Sequence, residues 1–131
     1  MNLTQQYALI CNTDRHAGNY GLLVDNKTNK PIKFAPVFDN GLSLFNYAMA
    51  EDLADIDSYA KTRYPAYDGI SYEEIVQAFI SERQRAELRK MINFKFKRHS
   101  RYNLPKERLT IIEKWLQKRV CQFIDMKGKN E

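Results

Sequence analysis

Residues 14–44 read DRHAGNYGLLVDNKTNKPIKFAPVFDNGLSL, and this stretch decides how the chain is organised. From Asn12 to Asn19 the residues are polar and small with neither a helical nor a strand period, which makes a loop. Gly21 to Asp25 and Ile32 to Ala35 are short apolar runs joined by the turn-rich Asn26-Lys-Thr-Asn-Lys-Pro, the pattern of a β-hairpin. Phe38-Asp39-Asn40-Gly41 follows at once; Asn40-Gly41 is a turn dipeptide, because glycine accepts positive φ and asparagine tolerates it. A hairpin folds its flanks back together, so the carboxylates of Asp14 and Asp39 and the amide of Asn19 are expected to converge at one end of it.

Upstream of this stretch, Leu3, Tyr7 and Ile10 stand at helical spacing, with Asn2 or Thr4 as the cap. Downstream, Leu53, Ile56 and Ala60 give a rough helical period within residues 44–60, and residues 64–69, which hold a Pro and a Gly, read as an irregular link. Ser71 and Glu74 form a capping box that Ile70 and Ile75 would staple, and Tyr72, Ile75, Val76, Phe79 and Ile80 fill one face behind it. Ser81 and Gln84 repeat the capping pattern for a helix running through Leu88, Met91 and Ile92. Asn103 and Pro105 open a last helix, where Leu109, Ile112, Leu116, Val120 and Phe123 make the apolar stripe and Lys114, Gln117 and Lys118 face away. These stripes are core rather than cofactor sites.

The counts agree with one packed unit. The chain has 131 residues, 44% of them hydrophobic, which suits a single domain over 1–131: a motif region at 7–45, a helical part at 46–126 and a frayed tail at 127–131. Cys11 and Cys121 lie far apart, and with only 2 histidines no Cys/His zinc set can be assembled; both thiols are expected to be reduced core residues. No run approaches the roughly 20 apolar residues of a membrane span, and no signal pattern opens the chain, so a soluble, cytoplasmic protein is expected. The net charge of +5 is a weak invitation to a nucleic-acid reading.

Two acidic loop residues on either side of a hairpin suit phosphoryl transfer, in which a protein mainly positions groups and balances charge. One carboxylate orients the acceptor hydroxyl, and an amide oxygen with a second carboxylate holds Mg²⁺, which prefers hard oxygen ligands. The longer string Asp14-Arg15-His16-x-Gly18-Asn19-x-Gly21, joined to Ala35-Pro36-x-Phe38-Asp39-Asn40-Gly41-x-Ser43-Leu44, resembles the HipA-like protein serine/threonine kinases. Their catalytic lobe contains an Asp-Arg-His-x-x-Asn loop, a hairpin and an Ala-Pro-x-Phe-Asp-x-Gly segment. Phe38-Asp39-Asn40-Gly41 stands where protein kinases in general carry Asp-Phe-Gly, so the likeness transfers by role rather than by letters.

The resemblance, which spans about residues 7–125, implies Asp14 as catalytic aspartate, Asn19 and Asp39 as Mg²⁺ ligands, and Arg15 and His16 as supports of the catalytic loop. Gly18, Gly21 and Gly41 are expected to be backbone necessities, and Tyr20, Asn40 and Ser43 to line the site. The competing reading of Asp14, Asn19 and Asp39 is a set of turn formers satisfying local backbone. Asp25, before the hairpin turn, reads as solvated. ATP and Mg²⁺ are the implied cofactors, and the γ-phosphate would pass to a protein hydroxyl. The sequence contains no Gly-x-Gly-x-x-Gly, no Gly-Lys-Ser/Thr string and no Val-Ala-x-Lys strand, and only 13 residues precede Asp14, where the family places its nucleotide-binding lobe. A complementary N-terminal lobe is therefore an expected partner, without which the isolated chain would be inactive. A helix-turn-helix antitoxin, as in many proteins of this kind, is another.

The expected fold is α+β and mainly helical, a kinase C-lobe-like helical domain with one small β-hairpin carrying the site at its end. Two other readings stand beside the kinase lobe. One is a non-catalytic remnant that binds a complementary lobe, a repressor or a second copy of itself. The other is nucleic-acid binding through Lys90, Lys95, Lys97, Arg98, His99, Arg101 and Tyr102, interleaved with Phe94 and Phe96. For that segment the plainer interpretation is preferred: the phenylalanines complete a helix's apolar face and the cations flank it in solvent.

Overall fold

The computed structural model describes residues 3–66 and 69–129. The cap expected at Asn2, Tyr67 and Asp68 of the link, and the last two residues of the tail lie outside the described residues. The fold is α+β and mainly helical. Helix α1 (Leu3–Ile10) leads through the loop into the hairpin β1 (Leu22–Val24) and β2 (Pro31–Phe34). Two short helices, α2 (Ala50–Ala54) and α3 (Ile56–Lys61), are followed by α4 (Tyr72–Phe79), α5 (Glu82–Arg89) and the 20-residue α6 (Lys106–Asp125). Helix α1 packs on α4 and α6, while α5 and α3 lie against α6.

The stripe of α6 is buried as its spacing requires, with Leu109, Ile112, Leu116, Val120 and Phe123 all inside. Leu116, Val120 and Phe123 join Ala8, Leu9, Val76, Ile80 and Leu88 in one apolar cluster. Trp115 of α6 meets Phe45 edge to face at 4.6 Å, a geometry that places ring hydrogens over the opposing π-cloud. The capping box of α4 is present, with the Ser71 hydroxyl accepting from the Glu74 N–H and the Glu74 carboxylate from the Ser71 N–H.

Several expected placements change. Phe79 is exposed and so is Ile70, which leaves the staple at α4 open. Ser81 stands at the N-cap of α5 but makes no side-chain capping bond, and α5 ends at Arg89, before Met91 and the exposed Ile92. Residues 44–60 form two helices because Asp55 breaks the run; its carboxylate turns to accept from the Ser58 N–H and caps α3. Cys121 is exposed and Cys11 buried, so one thiol of the expected core pair lies on the surface. Gln117 does not face away: its amide donates to the Met91 carbonyl at 2.9 Å and accepts from the Asn93 N–H at 2.7 Å.

Phe94 and Phe96 are not helical. They sit edge to face at 5.1 Å in an irregular segment packed against the core. That segment is anchored by Glu113, buried on α6, which accepts from the Phe96 N–H at 3.0 Å and pairs with Lys95 and Arg98 at 3.2 and 3.0 Å. Burial opposes ionisation of Glu113, but the Phe96 N–H and the two cations outweigh it and hold the carboxyl below the usual glutamate range. Asn103, expected to open α6, instead closes a turn with the backbone of His99.

Because the carboxyl of Glu113 is more acidic folded than unfolded, it contributes stability at neutral pH that is lost as pH falls below about 4.3 through its depressed folded value. In urea titrations across pH 7 to 3, wild type should unfold at higher urea than Glu113→Gln at neutral pH, with the gap closing in acid. A gap independent of pH would refute this role for Glu113.

Candidate active site

Helix α1 ends with Cys11 in the left-handed region at φ 50°, and the Asn12 N–H returns to the Tyr7 carbonyl at 3.1 Å. This Schellman-type closure uses up the end of the helix and turns the chain sharply. Asn12 then lies fully buried. Its side-chain oxygen accepts from the Asp14 N–H at 2.9 Å, and its amide reaches across to the Asp39 carbonyl at 3.3 Å. An Asx turn thus aims residue 14 while the same side chain holds the second loop.

Arg15 makes the stronger tie. Its side chain is fully buried, its guanidinium lies 3.9 Å over the Tyr7 ring, and it donates to the Asn19 and Phe38 carbonyls at 3.0 and 2.7 Å. The same group donates to the Asp39 carbonyl at 3.3 Å and to the Asn40 side-chain oxygen at 2.9 Å. Among the described residues it pairs with no carboxylate. Loops 12–19 and 38–40 are therefore one unit, clamped by a planar five-donor group that suits several carbonyls at once.

Within that unit the Asn19 amide nitrogen donates to the Asp14 carbonyl at 2.6 Å, which fixes the plane of the amide and leaves its oxygen with no donor among the described residues. The Asp39 carboxylate likewise accepts no hydrogen bond among them. Asp39 is exposed and held at φ 54°, a left-handed conformation costly for a non-glycine residue. The Asp14 carboxylate is partly exposed, 3.9 Å from His16 Nε2. His16 itself caps the short 3₁₀ turn Ala17–Asn19, its Nδ1 accepting from the Gly18 N–H at 3.1 Å. Tyr20 packs edge to face on Tyr7 at 5.8 Å and lines a small cavity with Asn19 and Phe38.

The glycines divide. A Cβ on Gly18 would sit 2.9 Å from the His16 ring, so this position is restricted. A Cβ on Gly41 would meet nothing closer than 3.9 Å, and the left-handed turn conformation falls on Asp39 instead, so no backbone necessity holds Gly41. Gly21 lies between, with Ala35 Cβ at 3.4 Å. Ser43 is buried with its hydroxyl unpartnered among the described residues, and Asn40 serves the Arg15 clamp. Asp25 organises the hairpin turn: its carboxylate accepts from the Thr28 N–H at 2.7 Å, the Thr28 hydroxyl and the Lys27 N–H, and these bonds lower its pKa. Asn12 is the residue that sequence reasoning missed; the Asn-Thr-Asp spacing of an Asx turn was its available signal.

The side-chain oxygens of Asn19 and Asp39, neither of which accepts a hydrogen bond among the described residues, are hard donors of the kind Mg²⁺ prefers. No cluster of three or more His, Cys, Asp or Glu side chains placed to hold a metal occurs among the described residues. A cleft of about 630 Å³ between α3, α4 and α6 contains none of these residues. Cys11 borders it, but burial pushes that thiol up to about 11 despite nearby Arg119, which leaves it protonated and a poor nucleophile. Compared with family models, curated proteins and solved structures, the chain matches none.

Removing the clamp strands several buried carbonyls. Arg15→Met should therefore lower unfolding free energy by about 3 kcal/mol, read from urea denaturation. Arg15→Lys should recover little of it, because an ammonium cannot span both loops. A wild-type midpoint for Arg15→Met would show that the clamp does not hold the loops.

Proposed function

We propose that this chain is the catalytic C-terminal lobe of an ATP-dependent protein serine/threonine kinase of HipA-like type. The observation that carries the reading is the Arg15 clamp, since it keeps the loop of Asp14 and Asn19 beside the loop of Asp39 through a buried, multiply bonded group. Turn formers that merely satisfied local backbone would not need a buried arginine joining segments on both sides of a hairpin.

In this reading Asp14 accepts the proton of a serine or threonine hydroxyl as its oxygen bonds to the γ-phosphorus and the bridging bond to ADP breaks. Asn19 and Asp39 would hold Mg²⁺, which supplies neutralisation of phosphate charge when bound. Arg15 keeps the two loops in register, and His16 shapes the 3₁₀ turn that carries Asn19. A nucleotide-binding lobe would complete the site. The exposed, unpaired Cys121 suits a reducing cytoplasm, and no helix among the described residues is long and apolar enough to cross a membrane.

One observation favours a second reading, a non-catalytic lobe that acts by binding. Leu22, Leu23, Val24, Ile32 and Phe34 of the hairpin are all 41% to 65% exposed, as is Phe38 beside it at 43%. An isolated two-stranded hairpin is marginal in water, and apolar side chains gathered on one are a surface awaiting a neighbour. Both readings need a partner at this end of the molecule; they differ in whether phosphate moves.

Transfer from ATP in the presence of Mg²⁺ can be measured for the chain alone and after mixing with a nucleotide-binding lobe of a HipA-like kinase. Transfer should appear with the lobe and fall at least about 100-fold in Asp14→Asn. A rate unchanged by Asp14→Asn would refute the kinase reading. Light scattering tests the hairpin surface: association, with the lobe or between copies, should be weakened by Phe34→Lys. Association that Phe34→Lys leaves unchanged would remove the hairpin from the interface.

A further inference from the structure

We propose that a cleft of about 460 Å³ running from loop 40–43 to residues 96–104 docks an acidic peptide segment of the protein that is to be phosphorylated. The acceptor role rests on the kinase reading; the cleft's chemistry does not. Its lining includes Lys97, Arg98, His99 and Arg108, and no carboxylate among the described residues. These side chains are not equal. Arg108 is committed to the carbonyls of Phe45, Asn46 and Ala48 at 2.6 to 3.1 Å, and Arg98 is paired with Glu113. Lys97 makes no ion pair among the described residues. His99 Nδ1 accepts from the Arg101 and Tyr102 N–H groups, which fixes the ring and leaves Nε2 for an outside partner.

The remaining lining is apolar and amide-bearing. Phe96, Leu104, Leu109 and Ile112 give the cleft a hydrocarbon wall, and Leu104 is half exposed on it. Asn40, Gly41 and Ser43 form the end next to Asp39, and the hydroxyl of Ser43 is buried there without a partner among the described residues. A cationic rim over an apolar wall recognises carboxylates flanking one aliphatic side chain, and continuity with residues 40–43 brings such a segment up to the candidate site. A polynucleotide fits less well. Its bases need open ring faces, and one face of Tyr102 is already stacked on His99 at 5.4 Å and 27°.

The test is fluorescence anisotropy with the full chain and a fluorescein-labelled Glu-Asp-Leu-Glu-Glu peptide at physiological salt, without ATP or Mg²⁺. Saturable binding is expected, weakened about tenfold by Lys97→Glu and comparably by Leu104→Asp. Both side chains are exposed, and circular dichroism confirms that each variant is folded. Binding unchanged by both substitutions, or no saturable binding at all, overturns the proposal. So does an oligothymidylate that binds more tightly than the peptide and is lost with Lys97→Glu, an outcome that assigns the patch to nucleic acid. The outcome also separates the two ideas: peptide binding in a chain whose Asp14 proves irrelevant to transfer removes the kinase reading and keeps the cleft, whereas Asp14-dependent transfer without peptide binding removes the cleft alone.

Discussion

A single buried guanidinium holds the two loops of this protein in place. Arg15 has no carboxylate partner among the described residues, its Nε is buried without a hydrogen-bond partner among them, and an ion taken out of water costs several kcal/mol unless its neighbours answer the charge. The answer here is a ring of carbonyls from residues 19, 38 and 39, the Asn40 side chain and the face of Tyr7. Only irregular backbone can offer so many carbonyls to one group, because helices and sheets use theirs internally. Loop conformation and arginine burial therefore require each other, and Asn12 completes the arrangement from the end of α1.

The same device recurs. Arg85 donates to the Met126 carbonyl at 2.8 Å, Arg108 gathers three carbonyls from residues 45–48, and Arg119 pairs with Glu73 while its guanidinium lies among the Tyr72, Trp115 and Phe123 rings. Four of the chain's 21 lysines and arginines, Arg15 among them, are thus internal architecture. A net charge counted from sequence overstates what the surface offers an anionic partner, and the residues left over, Lys97 among them, are those that matter for binding.

Fold legibility followed the strength of local physics. The stripe of α6 and the capping box of α4 were legible because apolar spacing and a two-residue reciprocal hydrogen bond act over a single turn or two. The hairpin was legible for similar reasons. Leu44 and Phe45 were not: both adopt left-handed φ, 51° and 60°, which no propensity suggests for these residues. Burial of Phe45 against Trp115 and Tyr59, with the Leu44 N–H held by the Ile10 carbonyl, overrides the local cost. Residues 94–104 misled for the opposite reason. Alternating aromatics and cations suggested a helix face, whereas Glu113, buried a long way along the chain, takes the segment's Phe96 N–H and so decides its path. At the candidate site the motif residues were legible as letters, and their joint placement through Asn12 and Arg15 was visible only in three dimensions.

The hairpin adds little to the helical core. Its strands are exposed along their whole length, and its turn is secured by its own Asp25 and Thr28 rather than by the body of the protein. Substitutions on its apolar face therefore leave the free energy of the helical body nearly untouched while altering what this end of the molecule can adhere to. Stability and association are written in different parts of the chain, so each is free to drift without dragging the other along.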